Sequence, residues 1–365
     1  CVEVAVPGKW GYRTTGMSFL NMLKALELTL NDGVDPRTGI ELYRGEGELT
    51  DFDTFAELWD AWEEHMKYYT KLSVTIDHIA DKNLEKYPDI FCSSLVNNCI
   101  ERGKTAKEGG AIYDMVSGLQ VGIANVANSF ASIKKLIYEE EKLEREKLME
   151  VLDNNFAGEE GQEIQQMLLD VPKYGNDIDY VDEFAVRAYD TYINEIKDYK
   201  NTRYGRGPIG GDYHLSTSAI SSNVPMGAVC EATPDGREAH KPTAEGASPT
   251  QGTDTNGPTA LINSLTKLPT ILMTGGQLLN QKFPPYLLQE PPLMEKFINF
   301  LKVFIKKKAW HVQFNIVSAE TLKDAQKNPD DYRDLIVRVA GYCARFVELD
   351  EKTQNDIISR TQQEF

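Results

Sequence analysis

Between Gly205 and Pro258 the chain changes character, and that change constrains the fold more than any other feature. The stretch is dense in Gly, Pro, Ser, Thr and Asp, with only short apolar runs such as Ala219-Ile220 and Met226-Gly227-Ala228-Val229. No helical or strand period survives there, so a long ordered loop is expected, the kind of segment that tends to carry function. Before it nearly everything reads as helix. Residues 1–16, punctuated by Pro7-Gly8, Gly11 and Gly16, read as a loop. Phe19, Leu20, Leu23, Leu26 and Leu30 predict a helix over Ser18 to Asn31, stopped by Asn31-Asp32-Gly33. Phe55, Leu58, Trp59, Trp62, Met66 and Tyr69 share one face of a long helix predicted from Phe52 to His78. Cys92 to Glu101 and Met115 to Ser129 read as buried helices. Residues 134–171 read as charged helices broken at Asn154-Asn155 and Gly158, and Val181 to Tyr199 as one more. After the loop, helices are expected at Ala260 to Lys267, Glu295 to Lys308, Asp330 to Val337 and Thr353 to Arg360. Strands are expected at Thr270 to Met273 and at His311 to Val317, where Val312, Phe314 and Ile316 alternate. Helices alternating with a few short strands place the chain in the α/β class, with a first part at 1–204 and a second at 205–365.

Composition narrows the function. The chain has 365 residues, enough for one large or two ordinary domains, and its 41% apolar and 26% charged residues are those of a globular protein. A net charge of −17 argues against nucleic acid as a partner, because phosphate binding needs clustered Lys and Arg. No apolar run reaches the roughly 18 residues of a membrane-spanning helix. Cys1-Val2-Glu3-Val4 shows no leader pattern, so a cytoplasmic location is expected. The missing initiator methionine leads to the expectation of a cut or processed boundary before Cys1. Five scattered cysteines without a CxxC pair fit reduced thiols and give no zinc site.

Several short motifs dissolve on inspection. Gly205-Arg206-Gly207-Pro208-Ile209-Gly210 matches GxGxxG in form, but no apolar strand leads into it and no crossover helix follows. Gly103-Lys104-Thr105 has Asn98 where a phosphate-binding loop requires glycine. His65, His78, His214, His240 and His311 never pair at metal spacing, and His311 reads as a hydrogen-bonded core residue. Asp177 and Asp179 could bind a cation, although such pairs are usually surface or capping residues.

Three stretches together resemble the glycyl radical enzymes, the pyruvate formate-lyase family. The first is Cys1-Val2-Glu3, continuing to Pro7-Gly8-Lys9. The second is Ala232-Thr233-Pro234-Asp235-Gly236-Arg237, with Gly246-Ala247-Ser248-Pro249 and Gly257-Pro258-Thr259-Ala260 downstream. The third is Arg338-Val339-Ala340-Gly341-Tyr342-Cys343-Ala344, followed by Gln354, Ile357-Ile358 and Arg360-Thr361. The resemblance implies part of a ten-stranded α/β barrel with a helix-rich periphery, its cysteine and glycine loops meeting inside. It also implies a glycine radical domain over about 240–365. A radical on a glycine α-carbon is stabilised by delocalisation into both flanking amides, which needs a near-planar centre that a Cβ would hinder. Gly341 is the candidate radical residue. The matching cysteine position is Cys1, whose S–H bond is close enough in strength to exchange hydrogen with the glycyl radical. Cys343 is the rival, disfavoured because it would move with the glycine loop and because the family carries a small residue there. Cys92, Cys99 and Cys230 read as core packing.

Glu3 selects among the family's reactions. Positions i and i+2 of an extended loop face the same way, so Glu3 can sit beside the Cys1 sulfur as general base. Members that eliminate water or an amine carry this Cys-x-Glu pattern. The expectation is therefore radical elimination, of the dehydratase or lyase type, on a small molecule. Formate C-acetyltransferase activity is the alternative, since that reaction uses two adjacent cysteines and the residue before Cys1 is not in the sequence. A non-catalytic spare glycyl subunit is another, weakened by Cys1 with Glu3. Diol and glycerol dehydratases carry a His-Asp pair where this chain has Arg13-Thr14-Thr15-Gly16, which favours a differently functionalised substrate. Pro7 to Arg13 looks like the branch called formate acetyltransferase 2 by similarity. Thr14, Thr15, Pro208 and Ile209 are candidate substrate contacts from loop position. The resemblance implies no bound cofactor. It implies a radical installed after translation by an activating enzyme using S-adenosylmethionine and an iron–sulfur cluster, and assembly as a homodimer. It also implies an N-terminal remainder of the barrel, without which the chain is expected to be catalytically incomplete.

Overall fold

The computed structural model describes residues 5–11, 15–217 and 221–365. Its centre is a parallel sheet whose spatial order follows the chain: β1 (Thr15–Asn21), β2 (Tyr113–Val121), β3 (Ile209–Thr217) and β4 (Gly276–Gln277). Parallel neighbours require long crossovers, and the helices Met22–Leu30, Phe55–Leu84, Ile123–Ile133 and Asp179–Ile196 supply them. Those helices bury the aromatic heart of the main core, where Trp59 lies 4.7 Å from Phe130 and 5.2 Å from Trp62, centroid to centroid. The α/β class is as expected, and most of the corrections concern strands.

The segment Met115 to Ser129 is not one helix. Its first part is β2, and the helix starts only at Ile123. A parallel strand covered on both faces loses its period-two signature, and β2 is buried almost throughout. Two glycines make the arrangement possible. A Cβ on Gly118 would sit 2.2 Å from Ile196 Cδ1 and 2.4 Å from Tyr192 Oη, so its absence lets the helix Asp179–Ile196 lie on the sheet. Gly122, at φ +90°, turns the strand into the next helix. The same error occurs at Ser18 to Asn31. Phe19 and Leu20 belong to β1, and the helix begins at Met22 after Asn21, whose side chain accepts from the Lys24 amide at 3.1 Å. An Asn N-cap inside an apolar run was the overlooked signal.

The expected loop from Gly205 to Pro258 contains β3 and a short helix, Asn223–Ala228. Gly210 and Gly211, both at positive φ, sit beside the register shift between Asp114 and Val116 on β2, so turn-like glycines here mark a bulge within a strand. Within the strand expected at Thr270 to Met273, Thr270–Leu272 is a 3-10 turn with Ile271 exposed, and the strand comes later, after Gly275. Cys92 to Glu101 breaks into two short helices, Ile90–Ser94 and Cys99–Arg102, with Cys92 itself exposed.

The C-terminal part is built differently. β5 (Asn280–Phe283) and β6 (Gln313–Ile316) form a two-stranded parallel ribbon joined by the helix Pro291–Lys306. β7 (Ile336–Arg338) and β8 (Cys343–Arg345) form an antiparallel hairpin where a helix was expected up to Val337. Val317, Leu322, Ala325, Val337, Val339, Phe346 and Ile357 make a small core of their own beneath that hairpin. The last residues dock back onto the body: Phe365 stacks 5.4 Å from Phe283, and the Asp254 carboxylate accepts from Thr361 and Gln363.

Burial pushes the Asp254 carboxyl up to about 6, with its hydrogen bonds opposing. A raised carboxyl stabilises the fold while protonated, and that contribution is lost as pH rises through the folded value. Wild type is therefore expected to lose stability relative to Asp254→Asn between about pH 4 and pH 7. Paired urea titrations across that range check this, and a pH-independent difference contradicts it.

Candidate active site: the glycine hairpin and its cradle

Gly341 sits at the apex of the β7–β8 hairpin, in the turn closed by the Val339 amide donating to the Tyr342 carbonyl at 2.9 Å. Its φ is +80°, where a Cβ is unfavourable. The next residue, Tyr342, shares a 2.8 Å hydroxyl–hydroxyl hydrogen bond with Ser221. Ala340 is buried against Leu278. Leu278 in turn rests on Gly246, where a Cβ would meet Leu278 Cβ at 2.7 Å, and its amide donates to Thr217 Oγ1 at 3.1 Å. The Gly246-Ala247-Ser248 stretch is thus the floor under the glycine turn, at the C-terminal ends of β3 and β4.

The ribbon β5–β6 holds the hairpin through side chains. Asn280 pairs with Gln313 and Lys282 with Asn315, so the strand period of two puts all four on one face. Asn315 accepts from the Arg338 amide at 2.7 Å and donates to the Arg338 carbonyl at 2.7 Å, imitating a strand partner. Gln313 Oε1 accepts from Arg338 Nε at 2.6 Å and from the Gly341 amide at 3.1 Å. Asn280 Nδ2 donates to the Val339 carbonyl at 3.2 Å. Lys282 Nζ reaches the Ile358 carbonyl at 2.8 Å, at the end of the helix Glu351–Ser359, and burial lowers its ammonium to about 8. On the opposite face Phe283 and Phe314 join Phe297, Phe300 and Phe365.

A buried charge cluster completes the cradle. Arg360 donates from Nη1 to the Val339 carbonyl at 2.8 Å and from Nη2 to Asp356 at 2.8 Å, with Glu245 at 3.9 Å. Burial pushes the Glu245 carboxyl up, and the Arg360 guanidinium pulls it back. Replacing Arg360 by Met leaves Asp356 and Glu245 without their cation. That is expected to cost about 3 kcal/mol of stability, at the low end for breaking a buried pair. Chemical denaturation checks it, and a loss no larger than for an exposed pair refutes it.

The structure sorts the sequence expectations unevenly. Cys1, Glu3 and Thr14 lie outside the described residues. Thr15 opens β1, paired with Ser117. Pro208 and Ile209 are exposed at the start of β3, whose nine residues at about 3.3 Å each put them roughly 26 Å from the Thr217 end. They are not brought to Gly341. Cys343 is exposed, with its sulfur 3.4 Å from Arg338 Nη1. His311 is held down to about 4 by burial and the Arg338 charge, and its Nδ1 has no hydrogen-bond partner among the described residues. Asp177 and Asp179 bind Lys267, at 3.0 and 2.6 Å, which also reaches Asp182, so the chain supplies its own cation. Among the described residues no cluster of His, Cys, Asp or Glu could hold a metal, and no helix is long and apolar enough to cross a membrane.

The Thr233-to-Arg237 motif is a self-stapled loop. Asp235 accepts from Thr233 at 2.6 Å and from Asn125 at 2.7 Å, while Arg237 donates to Thr233 at 3.2 Å and to the Lys241 carbonyl at 2.8 Å. It borders a cleft of about 540 Å³ against the helix Glu351–Ser359, and Gly341 does not line that cleft. Sequence reading missed Asn280, Gln313, Asn315 and Glu245, and took Arg360 only as part of the third motif without a role. For Gln313 and Asn315 a signal was present: these uncharged amides alternate with Phe314 and Ile316 on β6, and both are only 6% exposed.

Residues 1–227 match the pyruvate formate lyase-like family, and residues 243–347 match the glycine radical family. The chain is 51% identical to the probable dehydratase YbiW of Escherichia coli (strain K12) over 99% of its own length and 45% of that protein. It is 37% identical to trans-4-hydroxy-L-proline dehydratase of Clostridioides difficile, over 100% of this chain and 45% of the relative. Among solved structures, it superposes on the glycerol-bound B12-independent glycerol dehydratase from Clostridium butyricum with a TM-score of 0.93 at 37% identity, covering 100% of this chain and 45% of that one. A protein of 1,2-propanediol dehydration in Roseburia inulinivorans gives 0.94 at 41%, over 100% of this chain and 46% of that one. The chain spans less than half the length of the curated relatives it matches.

Proposed function

Because this chain belongs to the pyruvate formate-lyase-like glycyl radical enzymes, and has their α/β barrel fold over its length, we propose that it carries the radical-storing and hydrogen-transferring half of a radical eliminase. The observation that supports this most is Gly341 itself: a glycine at a hairpin apex, at positive φ, with its N–H held by buried Gln313 and the Val339 carbonyl before it held by Asn280 and Arg360.

In this reading a separate activating enzyme, of the S-adenosylmethionine and iron–sulfur type, removes a hydrogen atom from the Gly341 α-carbon. The Gly341 radical then takes hydrogen from the Cys1 thiol, restoring glycine and leaving a thiyl. The thiyl takes hydrogen from the hydroxyl-bearing carbon of a small substrate. Glu3 accepts that hydroxyl's proton, and the electron pair so released expels the leaving group from the adjacent carbon. When the leaving group is hydroxide it departs as water with the Glu3 proton. The product radical recovers hydrogen from Cys1, and a carbonyl compound leaves.

Relatives named dehydratases, together with one named isethionate sulfite-lyase from Bilophila wadsworthia (strain 3_1_6) that is 34% identical over 99% of this chain and 43% of its own length, favour elimination over acyl transfer to coenzyme A. Arg13-Thr14-Thr15-Gly16, where the diol enzymes carry a His-Asp pair, favours a substrate bearing a further functional group beside its hydroxyl. The protein expressed from its full coding sequence should be activated anaerobically and given panels of polyols, hydroxylated amino acids and hydroxylated sulfonates. Carbonyl product from any of these supports the reading. Acetyl-CoA formed from pyruvate and coenzyme A, with no carbonyl product, overturns it.

A further inference from the structure

Gln313 is the only described side chain bonded to the Gly341 amide. Its assignment is fixed by its partners: Arg338 Nε and the Gly341 N–H are both donors, so the atom they share is the carboxamide oxygen. The oxygen has little freedom. Arg338 reaches it at 2.6 Å, and the Arg338 backbone is itself pinned on both sides by Asn315. Gln313 is buried, in a strand whose other face is aromatic. Its Nε2 has no acceptor among the described residues. A buried carboxamide with one end unsatisfied costs stability, so packing alone does not account for glutamine at this position.

We propose that Gln313 is a positioning residue for the Gly341 radical, holding the Ala340–Gly341 peptide plane through the N–H so that the radical centre stays conjugated with its flanking amide. This rests on the reading of Gly341 as the radical residue. Spin on the α-carbon spreads into an amide only while the peptide plane and the trigonal carbon are coplanar. An N–H hydrogen bond fixes that plane and enriches the nitrogen lone pair that donates to the radical. Gln313→Leu keeps the volume and removes the acceptor. Gln313→Glu keeps an acceptor oxygen facing both donors.

The test is electron paramagnetic resonance of the anaerobically activated full protein, in wild type and both variants. The proton splitting of a glycyl doublet reports spin density on the α-carbon, which a contribution to folding alone does not move. In Gln313→Leu the splitting is expected to widen, and the radical to decay about five-fold faster without oxygen, the factor one neutral hydrogen bond is worth. Gln313→Glu is expected to restore both to within about two-fold. A Gln313→Leu doublet with wild-type splitting and lifetime overturns the proposal. If Gln313→Leu accumulates no radical, Gln313→Glu decides: a restored doublet supports the proposal, and none in a protein of unchanged melting temperature overturns it. A wild-type protein with no doublet refutes the functional reading itself, and this proposal with it.

Discussion

Gly341→Ala is expected to fold, to accept the activating enzyme, and never to show a glycyl doublet or turn over substrate. Two explanations for this glycine compete. A turn glycine is needed because φ is +80°, and an alanine Cβ in that region costs roughly 1–2 kcal/mol. Against a typical stability of about 5–15 kcal/mol this loss is tolerable. If the turn were all that mattered, the variant would be mildly destabilised and largely active. A radical residue behaves otherwise, because any Cβ hinders the planar, doubly conjugated centre, whatever the backbone strain. Gly341→Asn separates the two further. Asn is several-fold enriched at positive φ, so a turn requirement predicts that it outperforms Ala. Radical storage predicts that both are dead. The measurement is the doublet integrated per chain beside the melting temperature. A doublet in either variant would remove Gly341 from the mechanism.

The sequence told more about family than about strands, for physical reasons. Helices buried on one face keep their period, and Phe55, Trp59, Trp62 and Met66 placed the helix Phe55–Leu84 to within a turn at its start. β2 and β3 are covered on both faces and interrupted by Gly118, Gly210 and Gly211, so they lose the alternation that marks a strand and read as helix or loop. The hairpin around Gly341 was hidden differently. Its strands have three residues each and are fixed by Gln313 and Asn315 from another element. No local pattern encodes a side chain standing in for a strand partner. Alternation at Phe314 and Ile316 identified β6 but gave its polar face no role. Through Gln313 and Asn315 that face meets the backbone of Arg338 and Gly341. The Thr233-to-Arg237 motif shows the converse: it is prominent in sequence, yet its side chains are spent on folding its own loop and tying it to Asn125.

Cys1→Ser is expected to leave the Gly341 doublet intact while abolishing turnover, a combination no folding defect produces. Storage needs only the glycine and access for the activating enzyme, so removing the relay sulfur does not prevent it. Transfer needs a bond the glycyl radical can break at little cost. The O–H of serine is much stronger than an S–H, so hydrogen cannot pass to Gly341 and the cycle stops at its first step. Cys343 provides the control. Its sulfur is exposed beside Arg338 on the hairpin strand, and Cys343→Ser should keep both doublet and turnover. Reversed results for the two cysteines would transfer the relay to Cys343. Glu3→Gln belongs to the same series and should give a smaller effect of a different kind. Loss of a general base typically costs about 10²–10⁴ in rate. The doublet and hydrogen exchange between substrate and Cys1 should survive, because abstraction precedes proton removal. Deuterated substrate then distinguishes the variants: label washes out in Glu3→Gln and stays in place in Cys1→Ser. A Glu3→Gln protein with wild-type turnover would assign the base elsewhere and leave the relay untouched.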